Sequence, residues 1–115
     1  MELYLLDLVR IYGDRFNTFL KLYKRHIGKR KYKQKKDEVE RLMENEEISV
    51  SLFEYEFKYV GFMIFDKNEI KDHYIPKKFD IKRVNEILKV LGGYPQIKEY
   101  KKKEKYSKLH DSNTI

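Results

Sequence analysis

The chain has 115 residues; 26 are lysine or arginine and 19 are aspartate or glutamate, giving a formal net charge of +7. Hydrophobic residues make up 41% of it, which favours one small folded domain over a wholly disordered chain. Cysteine is absent, which excludes disulfide frameworks, thiolate metal sites and cysteine nucleophiles and favours a cytoplasmic location.

Residues 3–27 are predicted to be helical. Gly13-Asp14 can divide the segment into two helices, with Asp14 as the N-cap of the second, and Gly28 is a natural C-cap. The prediction depends on apolar residues that recur at steps of three and four, namely Leu5, Leu8, Val9, Tyr12, Phe16, Phe19, Leu20, Tyr23 and Ile27.

The charge changes sign abruptly in the next segment. Residues 21–36 contain nine basic residues and no acid, whereas residues 37–47 contain six acids and one arginine. A short apolar stripe at Val39, Leu42 and Met43 predicts a helix over about 36–46.

A two-residue period follows and predicts β-structure over 47–66. The aromatic members of this pattern predict one aromatic strand face, formed by Phe53, Tyr55, Phe57 and Tyr59. Because Ile48, Val50 and Leu52 have the opposite parity, we expect a bulge or turn near Leu52-Phe53. A turn at 66–69 leads to a short strand over 70–75.

The C-terminal part is predicted to contain a well-bounded helix. Asp80 can cap it, Gly92-Gly93 end it, and its apolar face comprises Ile81, Val84, Ile87, Leu88 and Leu91. Pro95 can begin a further helix. The resulting fold class is α+β: N-terminal helices, a small antiparallel sheet over about 47–75 and a C-terminal helix packed on the sheet. We expect one domain over 1–109 and a frayed tail over 110–115.

The basic run predicts a non-enzymatic, nucleic-acid-binding accessory or regulatory protein, because several cations can neutralise successive phosphates. Tyr32 is a candidate for stacking on bases. The alternative is that the acids of 37–47 fold back and neutralise the run. The candidate phosphate contacts are Lys24, Arg25, Lys29, Arg30, Lys31, Lys33, Lys35 and Lys36, extended by Lys98, Lys101, Lys102 and Lys103.

The lysine-rich segment after Pro95 allows a second mode of DNA binding. The helix from Asp80, the turn at Gly92-Gly93 and a basic helix from Pro95 have the order of a helix-turn-helix. Gln96, Lys98 and Lys101 would then read bases. The simpler interpretation is a closing segment followed by a basic tail.

Two other function classes stay open. The first is a protein-interaction or inhibitor module, which can include a homodimer formed by strand pairing, because small sheets leave free edges. The second is a metal-dependent nuclease, in which Glu56 and Lys58 would share one strand face with Glu54, and Asp66 or Asp72 would supply a further acid.

No motif predicts a cofactor or a metal ion. The three histidines are far apart in sequence, and we find no glycine-rich phosphate loop or nucleophile elbow. The segment 1–7 has acids and lacks the basic start of a signal peptide, and apolar runs such as 62–65 are too short to cross a bilayer. We therefore expect no membrane partner.

Overall fold

The structure is a computed structural model that describes residues 3–8, 11–67 and 69–98. It has the predicted α+β class. Its elements in chain order are β1 (Leu3–Leu8), α1 (Asp14–Ile27), α2 (Lys29–Glu44), β2 (Ser49–Tyr55), β3 (Lys58–Phe65), β4 (Ile70–Tyr74) and α3 (Ile81–Leu91). The four strands form one antiparallel sheet in the order β1-β2-β3-β4.

The first strand corrects the prediction of a helix over 3–27. Residues 3–8 pair with β2, from Leu3 opposite Tyr55 to Leu8 opposite Val50. Leucine is compatible with either structure, and this strand is fixed by partners that lie more than forty residues away. The helix begins at Asp14, with Gly13 rather than Asp14 as its N-cap.

Helices α1 and α2 are separated by a single residue. Gly28 ends α1 as predicted, and its φ of 93° lies in the region that glycine tolerates best. Helix α2 begins immediately after it, so it is longer than the predicted 36–46 and includes the basic run. Its buried residue is Val39.

The predicted aromatic face is interrupted by a hairpin turn. Glu56 and Phe57 form the turn between β2 and β3, with φ of 52° and 64°. Phe53 packs on the α3 side of the sheet, whereas Tyr59 packs on the α1–α2 side. Phe57 is 90% exposed. The four aromatic residues therefore do not share a face, and the register shift falls just beyond the predicted position, between Phe53 and Glu54.

The sheet lies between two helical layers, each with its own buried cluster. On one face, Phe19 of α1 meets Phe62 of β3 edge to face at 5.4 Å between ring centroids. On the other face, Val84 and Leu88 of α3 pack with Met63. The C-terminal helix thus packs on the sheet, as predicted. Asp80 caps it through a hydrogen bond from the backbone N–H of Lys82.

The segment after α3 is not the predicted helix as far as it is described. Residues 92–98 have no helical structure. The side chain of Asn85 holds them, because it donates to the carbonyl of Ile97 and accepts from its N–H, both at 2.8 Å. Ile97 is thereby buried against α3. The predicted tail over 110–115 lies outside the described residues.

Candidate nucleic-acid interface

The predicted cations gather where α1 ends and α2 begins. We call this surface the basic corner: the last turn of α1 from Lys24, the linker Gly28, and the first two turns of α2 to Lys36. Tyr32 and Lys36 are half-buried. The exposed cations of the corner are Lys24, Arg25, Lys29, Arg30, Lys31, Lys33 and Lys35.

Aromatic packing holds the two helices of the corner together. Tyr23 of α1 meets Tyr32 of α2 edge to face, with 6.3 Å between ring centroids. The Nζ atom of Lys24 lies 5.7 Å from the centre of the Tyr32 ring. Tyr32 therefore already has contacts on its ring, and its predicted role in stacking on bases stays a prediction.

The acids of 37–47 do not cover the basic corner. Among described residues, one ion pair joins the two runs, Lys36 with Glu40 at 3.9 Å, and both side chains are partly exposed. None of the seven exposed cations pairs with a carboxylate that the structure describes. Helix geometry separates the first turn of α2 from the acids: α2 is one continuous helix, so Lys31 lies six residues, about 9 Å of helix rise, before Asp37.

The charges at the start of α2 oppose the stability of the helix. Its first turn holds Lys29, Arg30 and Lys31 and no acid, although the positive end of the helix dipole lies there. Like charges also stand four residues apart, for example Lys29 and Lys33, and such pairs are mildly destabilising. The cations are therefore not explained by the stability of the helix.

The positive charge surrounds the exposed side of α2. Successive residues of a helix are rotated by about 100°, so Lys29 points to one side of the axis, whereas Lys31 and Lys35 point to the roughly opposite side. Tyr32 and Val39 mark the side that packs on α1 and the sheet. The cations thus occupy both flanks of the helix and not one stripe.

The other predicted contacts lie elsewhere. Lys98 is exposed and follows Ile97, which packs on the α3 side of the sheet, whereas the basic corner lies on the opposite side. Lys101, Lys102 and Lys103 lie outside the described residues. Gln96 donates to the backbone carbonyl of Asn85 at 3.1 Å, so this predicted base reader is engaged within the chain.

The premise of the nuclease hypothesis is wrong. Glu56 belongs to the hairpin turn and not to a strand, so it does not share a strand face with Glu54 and Lys58. Within residues 3–8, 11–67 and 69–98, no three histidine, aspartate or glutamate side chains come together as a metal site would require.

One polar cluster beside the basic corner was not foreseen. Nε2 of His26, in the last turn of α1, lies 3.0 Å from Oδ1 of Asp72 on β4. The His26 ring also packs on Phe62 and Tyr74. Burial, with the charge of Asp72 adding to it, raises the pKa of Tyr23. Because 46 residues separate His26 from Asp72, no local spacing could have indicated the pair.

A second polar cluster joins β1 to the segment after α3. Asp7 accepts hydrogen bonds from the hydroxyls of Ser51, at 2.7 Å, and Tyr94, at 2.9 Å. Burial and the hydrogen bond to Asp7 raise the pKa of Tyr94 to about 12. Tyr94 therefore stays a neutral donor at physiological pH, and the cluster fastens the C-terminal segment to the sheet.

No known protein family matches the chain, and neither a curated protein nor a solved structure matches it. In the part of the chain that the structure describes, no helix has the length and apolar character needed to cross a membrane. The basic corner is therefore interpreted from its own geometry.

Proposed function

We propose that the protein is a non-enzymatic nucleic-acid-binding protein whose basic corner contacts phosphates. The observation that carries the proposal is the set of seven exposed cations that lack carboxylate partners among the described residues. A nucleic acid supplies closely spaced anions, and each neutralised phosphate releases condensed counterions, which favours binding.

The arrangement around α2 favours a double helix over a single strand. A helix with cations on both flanks suits a groove with phosphates on both walls, and the major groove of B-form DNA admits an α-helix. Single-strand binders instead present aromatic rings on which bases stack. Tyr32, the aromatic residue within the corner, is half-buried against Tyr23 and Lys24.

The first experiment measures affinity against salt. Fluorescence anisotropy with a labelled duplex DNA, a single-stranded DNA and a duplex RNA is recorded at several salt concentrations. If about five phosphates are contacted, a fourfold increase in salt weakens binding to duplex DNA by about 500-fold. Salt-independent affinity, or no affinity at low salt, contradicts the proposal.

The second experiment locates the interface with two variants of equal charge. The triple variant Lys29→Gln/Arg30→Gln/Lys31→Gln removes three cations from the basic corner. The control Lys82→Gln/Arg83→Gln/Lys89→Gln removes three exposed cations from α3. The slope of the logarithm of the binding constant against the logarithm of the salt concentration reports the number of phosphates contacted. We expect the corner variant to reduce the size of this slope by about three and the α3 variant to leave it nearly unchanged. Equal reductions would mean that net charge alone drives binding and that the corner is not the interface.

A further inference from the structure

The two edges of the sheet are protected very differently. Edge strand β4 carries the features that prevent edge-to-edge pairing: Lys71 forms ion pairs with Asp66 and Glu69, the register shifts beside it, and Pro76 follows the strand. Edge strand β1 contains no lysine, proline or register shift in its pairing with β2, and its one charged residue, Asp7, accepts hydrogen bonds within the chain. Four of its six residues are leucine.

An apolar groove lies along the unprotected edge. It has a volume of about 990 Å³ and is bounded by β1 and α3. On α3, Ile87, Val90 and Leu91 form a stripe at steps of three and four residues that lines the groove. Val90 is 85% exposed and Leu91 is 54% exposed. Tyr4 on β1 is 56% exposed. The edge and the groove together form a continuous surface, which we call the β1 face.

The charges of the β1 face suit a second copy of the same chain. The charges on this face are balanced. The groove lining contributes the cations Lys78, Arg83 and Lys89 and the acids Asp80 and Glu86, and β1 contributes a third acid, Asp7. The chain as a whole carries +7, so two copies repel one another at the basic corner but meet mixed charges at the β1 face. A polyanion, in contrast, gains little from this surface.

We propose that two copies associate through the β1 face, with their β1 strands paired antiparallel into one eight-stranded sheet. The two-fold axis that relates two adjacent antiparallel strands is normal to the sheet. The matching faces of the two copies therefore lie on the same side of the joined sheet. Leu3 and Leu5 face the α3 layer in each copy, and the two α3 helices therefore lie on the same side. Each copy covers the exposed Val90 and Leu91 of the other, and the axis passes at Leu5 or Leu6.

The mass in solution, measured by sedimentation velocity at several protein concentrations, tests this dimer. We expect twice the chain mass of 14.2 kDa for the wild type. Tyr4→Lys places on the edge the residue that natural edge strands use for protection, and Val90→Lys places a charge in the groove. Because Tyr4 and Val90 are largely exposed in one copy, each variant is expected to fold and to run as a monomer. Circular dichroism checks the fold.

Phe57→Lys is the matched control. Phe57 is as apolar and as exposed as Val90, but it lies at the β2–β3 turn and outside the groove lining. We expect this variant to stay dimeric. A monomeric wild type at submillimolar concentration overturns the proposal, and so does a dimer that Phe57→Lys dissociates while Val90→Lys leaves it intact.

Cross-linking provides a positive test. The chain contains no cysteine, so Leu5→Cys and Leu6→Cys each introduce a single thiol. A residue on the two-fold axis meets its own copy with Cβ atoms about 5 Å apart. One of the two variants should form a disulfide-linked dimer on mild oxidation, and Phe57→Cys should not. Absence of a cross-link from both edge variants contradicts the strand pairing. Because this dimer does not use the basic corner, it is independent of nucleic-acid binding.

Discussion

Helices α2 and α3 both pack on the sheet, but they are built on different principles. Helix α3 has a side-chain cap at Asp80, a lysine in its last turn and a glycine after it, each of which stabilises a helix. Helix α2 has no side-chain cap bond and begins with three cations. Helix α2 has one buried residue, Val39, whereas α3 has two, Val84 and Leu88.

The difference indicates what each helix contributes. Apart from the exposed Val90 and Leu91, the residues of α3 are explained by local helix stability and by burial against the sheet. Those of α2 are not, because their charges oppose the helix dipole and repel one another. Such a conflict between local preference and observed structure is expected at functional sites. We therefore regard α3 as a structural element and α2 as the element that presents the basic corner.

The largest expected effect concerns how the two helices are anchored. Leu88→Ala on α3 should lower the free energy of unfolding by about 2–5 kcal/mol, because it leaves a cavity at a fully buried position. Val39→Ala on α2 removes less buried surface and should cost about 1–3 kcal/mol. Urea denaturation measures both, with the exposed Phe57→Ala, which lies outside the β1 face, as the neutral control. Equal losses at the two buried positions would contradict the comparison.

The cap of α3 gives the next largest effect. Asp80→Ala removes the acceptor of the Lys82 N–H and should destabilise the protein by about 1 kcal/mol. Asp80→Asn keeps an oxygen acceptor and should restore most of the loss. If both variants are as stable as the wild type in thermal and urea denaturation, the cap does not stabilise α3 as argued.

The parts of the fold that local chemistry determines were predictable. The helix from Asp80 to Leu91 has its cap, its apolar period and its glycine stop within one stretch of sequence. The turn at 66–69 is equally local, and Asp66 accepts from the N–H of Glu69. In both places the local sequence features all indicate the same element, so the prediction agrees with the structure.

The misplaced parts depend on distant partners or on unusual turn residues. Strand β1 exists because β2 lies beside it, and its leucines fit a helical period equally well. The turn at Glu56-Phe57 places two residues without glycine or asparagine in left-handed conformations, so it lacks the usual hairpin signature. At the basic corner, the cations were predictable from composition. That the acids of 37–47 leave them uncovered depends on α2 being one continuous helix.

Replacing a cation at the start of α2 should have a smaller effect on stability, and it should change stability and nucleic-acid binding in opposite directions. Lys29→Glu places an acid in the first turn and should raise the free energy of unfolding by about 0.3–1 kcal/mol at low salt, while it weakens nucleic-acid binding. Lys33→Glu should weaken binding similarly with little gain in stability, because it removes the repulsion from Lys29 but places a like charge four residues before Asp37. High salt should abolish the gain from Lys29→Glu. A loss of stability in this variant would mean that the cations of α2 do not oppose its helix.

The smallest expected effect is a pH dependence of stability that arises on the α3 side of the sheet. His73 on β4 pairs with Met63, which packs on the α3 side. Burial lowers the pKa of His73 below its ordinary value of 6.5; the charge of Asp72 opposes this shift, and His26 reinforces it. The unfolded chain thus takes up this proton near pH 6.5, whereas the folded chain takes it up only at lower pH.

Stability contributed by the neutral His73 ring is therefore complete above pH 6.5 and is lost as the pH falls below that value. His73→Gln should flatten the decrease in urea midpoint between neutral and mildly acidic pH. His26→Gln should reduce that part of the decrease only slightly, because burial is the largest cause of the lowered pKa of His73 and His26 a smaller one. An unchanged pH dependence in His73→Gln would show that the α3 side of the sheet is not the source. The pH-dependent part of the stability would then belong to the α1–α2 side of the sheet, and the α3 side would not be the source of the acid sensitivity.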